Sequence, residues 1–348
     1  MSLPVRDVVL LAAMFLLSGC SAPYLADAAY HQLRLLARRV PIDTVVNDPD
    51  ADPHLRQRLA RVSSIREFAA DRLGMTVDDN YATYVEVRGR YVTFNLSACP
   101  PDSLVPYEWH FPIVGAVPYK GFFHREDAER EDRRLRLAGY ETYLRGVIAY
   151  STLGWFSDPV LSTMLDEDPY ELADLLFHEL THATLFVKGQ IAFNESLASF
   201  VAEQATLQYL TVQEGHESRA YRDRVATYAE ERRFSNLVHG LYLDLEALYR
   251  ASPPDLTAQR EALYAAFRRR LLAAGSGITS PGYRRFAELP PNNARLLAYH
   301  RYHDGRQDFE ALLAQHDGDL KAFLRALIEQ RRALRHDPFK VLHRLVAG

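Results

Sequence analysis

His178-Glu179-Leu180-Thr181-His182, entered through Asp168-Pro169-Tyr170-Glu171 and followed by Asn194-Glu195, is the stretch that decides how this chain folds. Two histidines four apart project from one face of a helix, so both rings can reach a single metal ion. The lead-in supplies the helix. Asp168 is an N-cap, Pro169 takes the first helical position, and Glu171 stands three residues after the cap. Leu172, Leu175, Leu176, Leu180, Ala183 and Phe186 then recur at helical spacing, giving an apolar stripe beside the histidines. Gly189, after Lys188, is the expected C′ residue.

A catalytic zinc takes three protein ligands and keeps one position open. His178 and His182 supply two. Asn194-Glu195-Ser196-Leu197-Ala198 opens a second helical pattern, with Leu197, Phe200, Val201, Ala205 and Tyr209 apolar. Ala198 and Ser199 are small enough to let it approach the first helix. The third ligand is expected from it: Glu195 in the first turn, or Glu203 two turns on. Zinc lowers the pKa of a coordinated water and polarises a carbonyl, so the pattern points to hydrolysis. Glu179 cannot easily ligate the ion its neighbour holds, but it can accept a proton from that water and pass it to a leaving amine. Ser199 and Glu203 are candidates for orienting the two imidazoles.

The N-terminus carries a different signal. Val8 to Leu17 form a short apolar run behind Arg6 and end in Leu17-Ser18-Gly19-Cys20. The run is too short to span a bilayer and fits a secretory leader. Its ending resembles a bacterial lipobox, in which Cys20 carries lipid and becomes the mature N-terminus. Ser21 after the cysteine implies outer-membrane sorting in a host with two membranes, with the body facing the periplasm. Cys20 and Cys99 are the only cysteines, which excludes a disulfide-stapled scaffold. A net charge of −4 with interspersed signs argues against a nucleic-acid partner. Residues 1–19 therefore read as a signal peptide and 20–348 as a single domain, mixed α/β over 20–165 and helical, with the zinc site, over 166–348.

Along the chain, residues 24–39 and 55–73 read as helices around a turn-rich stretch at 48–53. Residues 81–87 and 91–94 read as a hairpin turning near Arg88-Gly89. Residues 111–119 and 143–152 are further strands, flanking a charged helix at 124–138 whose charges read as a solvated face. From Glu171 onward the pattern is helical, broken at Ser252-Pro253-Pro254 and around 281–293. The expected class is α+β, mainly helical, with a small, mostly antiparallel sheet beside the zinc helix and a helical C-terminal region. Residues 145–151, with Gly146 and Tyr150, are the candidate edge for an extended peptide, and residues 154–159 a wall of its cleft. Tyr119, Tyr150 and Tyr242 are candidate oxyanion donors. His300 and His303 read as surface residues.

Several stretches resemble the bacterial putative zinc aminopeptidase family, whose members are predicted lipoproteins. They are Tyr150-Ser151-Thr152-Leu153-Gly154-Trp155-Phe156, Asp158-Pro159-Val160-Leu161-Ser162-Thr163, Phe177-His178-Glu179-Leu180 and Phe193-Asn194-Glu195-Ser196. Phe111-Pro112-Ile113-Val114-Gly115, Tyr119-Lys120-Gly121, Asn292-Asn293-Ala294 and Gly318-Asp319-Leu320 are similar too. The resemblance covers nearly the whole mature chain. It implies a Zn2+ peptidase acting on peptide N-termini, with His178, His182 and Glu195 as ligands and Glu179 as base. The His182 to Glu195 gap is shorter than in thermolysin-like enzymes. Relatives carry cysteines near the positions of His110 and Ala116, and Thr181 stands where alanine is more usual. An aminopeptidase also needs an acid for the substrate's α-amine, for which Glu171, Asp158 and Glu203 are candidates. The alternatives are an endopeptidase with the same metal chemistry and a catalytically inactive, lipid-anchored envelope scaffold. Oligomeric state is not legible.

Overall fold

The computed structural model describes residues 22–111, 115–149, 157–300 and 305–347. The leader, Cys20, Tyr150, the Gly154-Trp155-Phe156 part of the expected cleft wall and His303 lie outside the described residues. The described chain opens with helix α1 (Ala22–Leu36), strand β1 (Val40–Pro41) and the short helix α2 (Ile42–Val46). Helix α3 (Pro53–Asp71) leaves the turn-rich stretch because Asp52 accepts the Leu55 amide at 2.9 Å and proline occupies the first turn. Its Leu59, Val62, Ile65, Phe68 and Ala69 form a buried stripe at helical spacing.

The expected hairpin does not form. Strand β2 (Thr83–Val85) lies between β1, antiparallel, and β8 (Val160–Leu161), parallel. Strand β3 (Thr93–Cys99) is the centre of a second sheet, between β6 (Lys120–Phe122) and β7 (Glu141–Val147), antiparallel to both. Gly89 does turn the chain, at φ +94°. Burial then separates the two strands: Tyr84 and Val85 belong to one core, Leu96 and Ala98 to another. Pairing the strands with each other would draw one run off its core.

Residues 111–119 likewise hold two short strands rather than one. β4 (Trp109–Phe111) pairs antiparallel with β5 (Gly115–Val117), with His110 directly opposite Ala116. Helix α4 (Arg125–Leu137) buries Ala128 and Leu135 against the second sheet. Its charges pair along the helix, Arg125 with Glu129 at 2.7 Å and Arg134 with Glu131 at 2.8 Å, so the charge run is a solvated face.

After residue 169 every regular element among the described residues is helical: α5 (Pro169–Thr184), α6 (Ile191–Glu214), α7 (Arg219–Ala251), α8 (Leu256–Leu272), α9 (Pro281–Glu288), α10 (Asn293–His300), α11 (Arg306–Gln315), α12 (Leu320–Glu329), α13 (Arg331–Leu334) and α14 (Pro338–Ala347). Ser252, left-handed at φ +45°, ends α7 ahead of Pro253. The second expected break is itself occupied by α9, started by Pro281.

The largest core joins α3, α5 and α6 to the first sheet and to α11, α12 and α14. A second joins α7 to α10, and a third lies between α4 and the second sheet. The fold is α+β and mainly helical, with small, mostly antiparallel sheets ahead of the helix that carries the two histidines.

Candidate metal centre

Helix α5 starts as its sequence dictates. The Asp168 carboxylate accepts the Tyr170 amide at 2.9 Å and Pro169 takes the first turn. Leu172, Ala173, Leu176, Phe177 and Leu180 are buried, and this leaves residues 174, 178 and 182 in line along another strip. Thr181 is fully buried and returns its hydroxyl to the Phe177 carbonyl at 2.7 Å, away from the histidine Nε2 atoms. The helix stops earlier than its apolar pattern implies: Leu185 is already extended, and Gly189, at φ +82°, belongs to the following turn.

That turn places Glu195. The Asn194 side chain accepts the Val187 amide at 2.8 Å and donates to the Val187 carbonyl at 2.9 Å, in a fully buried position. One amide side chain thus satisfies both backbone groups where the chain reverses, and α6 folds back along α5. Glu195, the next residue, faces the histidines. Its Oε2 is 3.4 Å from His178 Nε2 and its Oε1 is 3.7 Å from His182 Nε2. The two Nε2 atoms are 3.2 Å apart. Ligands at zinc bond lengths of about 2.0–2.2 Å in a tetrahedron stand about 3.3–3.5 Å from one another. The three donors fit a zinc ion in spacing and in chemistry.

The field at the site separates the two imidazoles. Burial opposes protonation of His178, but its hydrogen bond to Glu195 and the negative fields of Glu179, Glu195 and Asp174 together lift its pKa above the usual imidazole range. His182 is held at about 4 by burial and by His178, against the pull of Glu195. It is therefore neutral at pH 7, the form that ligates a metal. Its ring is oriented by packing, edge-on to His178 at 4.8 Å between centroids and to Phe186 at 6.2 Å.

Glu179 is half-buried beside this cluster. Tyr81 shares its field: burial, then Glu179 and Asp158, push the phenol well above its ordinary pKa, so it stays neutral. Tyr81 has a left-handed backbone, φ +57°, and its amide donates to the Asp158 carbonyl at 2.6 Å. Asp174, which the histidine spacing alone does not mark, stands one turn before His178 on the same helix. Burial raises its pKa, and the Tyr228 hydroxyl donates to it at 2.5 Å.

Other candidates are placed elsewhere or are already engaged. Both Glu203 oxygens bind Arg306 at 2.8 Å and one also binds Arg232 at 2.8 Å, so Glu203 is neither a ligand nor the partner of an imidazole. Ser199 lines a cavity of about 80 Å³ beside His178, together with Asp174, Ser196 and Glu231. Among the described residues β7 is an edge strand, in the sheet packed on α4, and it covers only residues 145–147 of the expected edge at 145–151. Its Thr142 carbonyl, however, is taken by Asn292 at 2.9 Å, and the Tyr91 ring fills the space a Cβ on Gly146 would need. Tyr119 is 42% exposed beside the second sheet, where it shares a field with Tyr24. Tyr242 stacks on His300 at 3.8 Å. Glu171 is exposed in the first turn of α5, and Asp158 is buried.

A family model described as "Putative aminopeptidase" matches residues 23–338. No curated protein and no solved structure matches the chain.

Proposed function

The chain belongs to the putative aminopeptidase family, and from that premise we propose that it is a zinc-dependent aminopeptidase with His178, His182 and Glu195 as metal ligands. The observation that carries this reading is the convergence of two imidazole nitrogens and one carboxylate, all within 4.8 Å of one another. Zinc, when bound, supplies Lewis acidity, bringing the pKa of water toward neutrality and polarising a carbonyl.

The protein's own groups do the rest. Glu179, next to a ligand in sequence but not itself one, accepts the proton of the attacking water and returns it to the leaving amine. Neutral Tyr81 adds no repelling charge beside that carboxylate. The choice of an exopeptidase over an endopeptidase rests on the family description. The small cavity next to His178 adds no surplus of negative charge, because Arg232 and Arg306 hold Glu203 and burial lifts the pKa of Asp174 and that of Glu231, the latter to about 7. Amino-acid arylamides compared with the same substrates N-acetylated are the test. The reading expects turnover of the free-amine substrates only; cleavage confined to blocked peptides would make the enzyme an endopeptidase.

The proposal includes location. The run ending in Leu17-Ser18-Gly19-Cys20 supports lipid attachment at Cys20 and an outer-membrane protein facing the periplasm. No described helix is long and apolar enough to cross a membrane. Detergent phase partition of the wild type and Cys20→Ala tests this, with only the variant expected in the aqueous phase.

A further inference from the structure

A second cluster on the molecule repeats the metrics of the first. His31, on α1, and His124, at the start of α4, bring their Nε2 atoms to 3.1 Å, and the Asp27 carboxylate lies 3.3 Å from His31 Nε2. The two rings are edge to face, centroids 4.6 Å apart at 84°; the corresponding values for His178 and His182 are 4.8 Å and 86°. All three donors lie within 4.8 Å of one another, as in the proposed catalytic centre.

The construction is parallel as well. Asp27 and His31 are four apart on one helix, as are His178 and His182, and the third donor comes from a neighbouring element. The His31 ring is stacked on Phe123 at 5.2 Å, which fixes its plane before any ion arrives. The Asp27 side chain is 47% exposed, so an ion can enter from solvent. Two imidazoles and one carboxyl group form a donor set suited to zinc.

We propose that Asp27, His31 and His124 form a second zinc site, which fastens α1 to the start of α4, just after β6. The helix is already tied to β6 two turns earlier, where the Tyr24 hydroxyl donates to the Gly121 carbonyl at 2.7 Å. A bound ion adds a clip at its middle, on the helix that follows the proposed lipid anchor.

The competing reading is a plain histidine–histidine hydrogen bond with no ion. Zinc stoichiometry of the full-length protein after dialysis against micromolar zinc separates the two. The wild type is expected to hold two equivalents, the His178→Ala/His182→Ala variant one, and that variant with His31→Gln/His124→Gln added none. Hydrogen exchange of α1 should slow with zinc in the second protein and not in the third. If the His178→Ala/His182→Ala variant holds no zinc, or keeps its equivalent after His31→Gln/His124→Gln, the second site is overturned. If the wild type holds a single equivalent that His31→Gln/His124→Gln removes, the catalytic reading fails instead.

Discussion

Asn194 decides where Glu195 points. Its amide occupies both the N–H and the C=O of Val187; the carbonyl also accepts the Gln190 amide at 3.1 Å, so Asn194→Ala strands one buried backbone group, the Val187 N–H. We expect a loss of about 1–3 kcal/mol, read as a lower urea midpoint, together with weaker zinc retention as Glu195 drifts from the histidines. Unchanged stability would show that the turn holds without its clamp. At this scale the sequence discloses what is local. His178 and His182 follow from a helical period of four, and Glu195 from the helical pattern after the next turn, although α6 begins at Ile191 and Glu195 therefore stands beyond its first turn. Glu203 could not be judged, because the arginines that occupy it stand 29 and 103 residues away. Asp174 could have been found by extending the same four-residue period one step backward.

Among the elements, α5 is legible because it carries its own start signal and apolar stripe; α6 is legible by its stripe alone, since it begins at Ile191, three residues ahead of the expected Asn194, with no side-chain cap from Gln190. The strands are not, because alternation marks a strand without naming its partner. Thus β2 and β3, adjacent in sequence, sit in different sheets. Helix α4 offers an acid test of how it is held. Its Glu131 accepts from Arg134 and from the Trp109 indole at 3.0 Å, and the Arg134 bond is the main reason its pKa falls from 4.5 to about 2. A carboxyl depressed in the folded state contributes stability that is complete above its unfolded pKa and lost as pH falls through the folded value. The tie between α4 and β4 should therefore weaken between pH 4.5 and about 2. In a Trp155→Phe background, Trp109 fluorescence should change across that window, and Glu131→Gln should remove the part of the change that belongs to this contact.

For the whole molecule, the candidate centre joins α5 to α6, two helices of the largest core, so a metal bound there would be linked to global folding. Zinc at a hundredfold excess over its Kd should stabilise the protein by about 2.7 kcal/mol; chelation should lower Tm, and a Tm indifferent to chelator would detach the metal from the fold. The mainly helical class was readable from composition and period, and the division into three cores was not, since it depends on which apolar faces meet. The central claim, that Glu179 acts as base beside a zinc held by His178, His182 and Glu195, is tested most directly by Glu179→Gln, measuring zinc content and arylamide turnover on the same preparation. The account predicts zinc content equal to wild type and turnover lower by at least roughly 10²–10⁴-fold. Turnover at the wild-type rate in Glu179→Gln would contradict it.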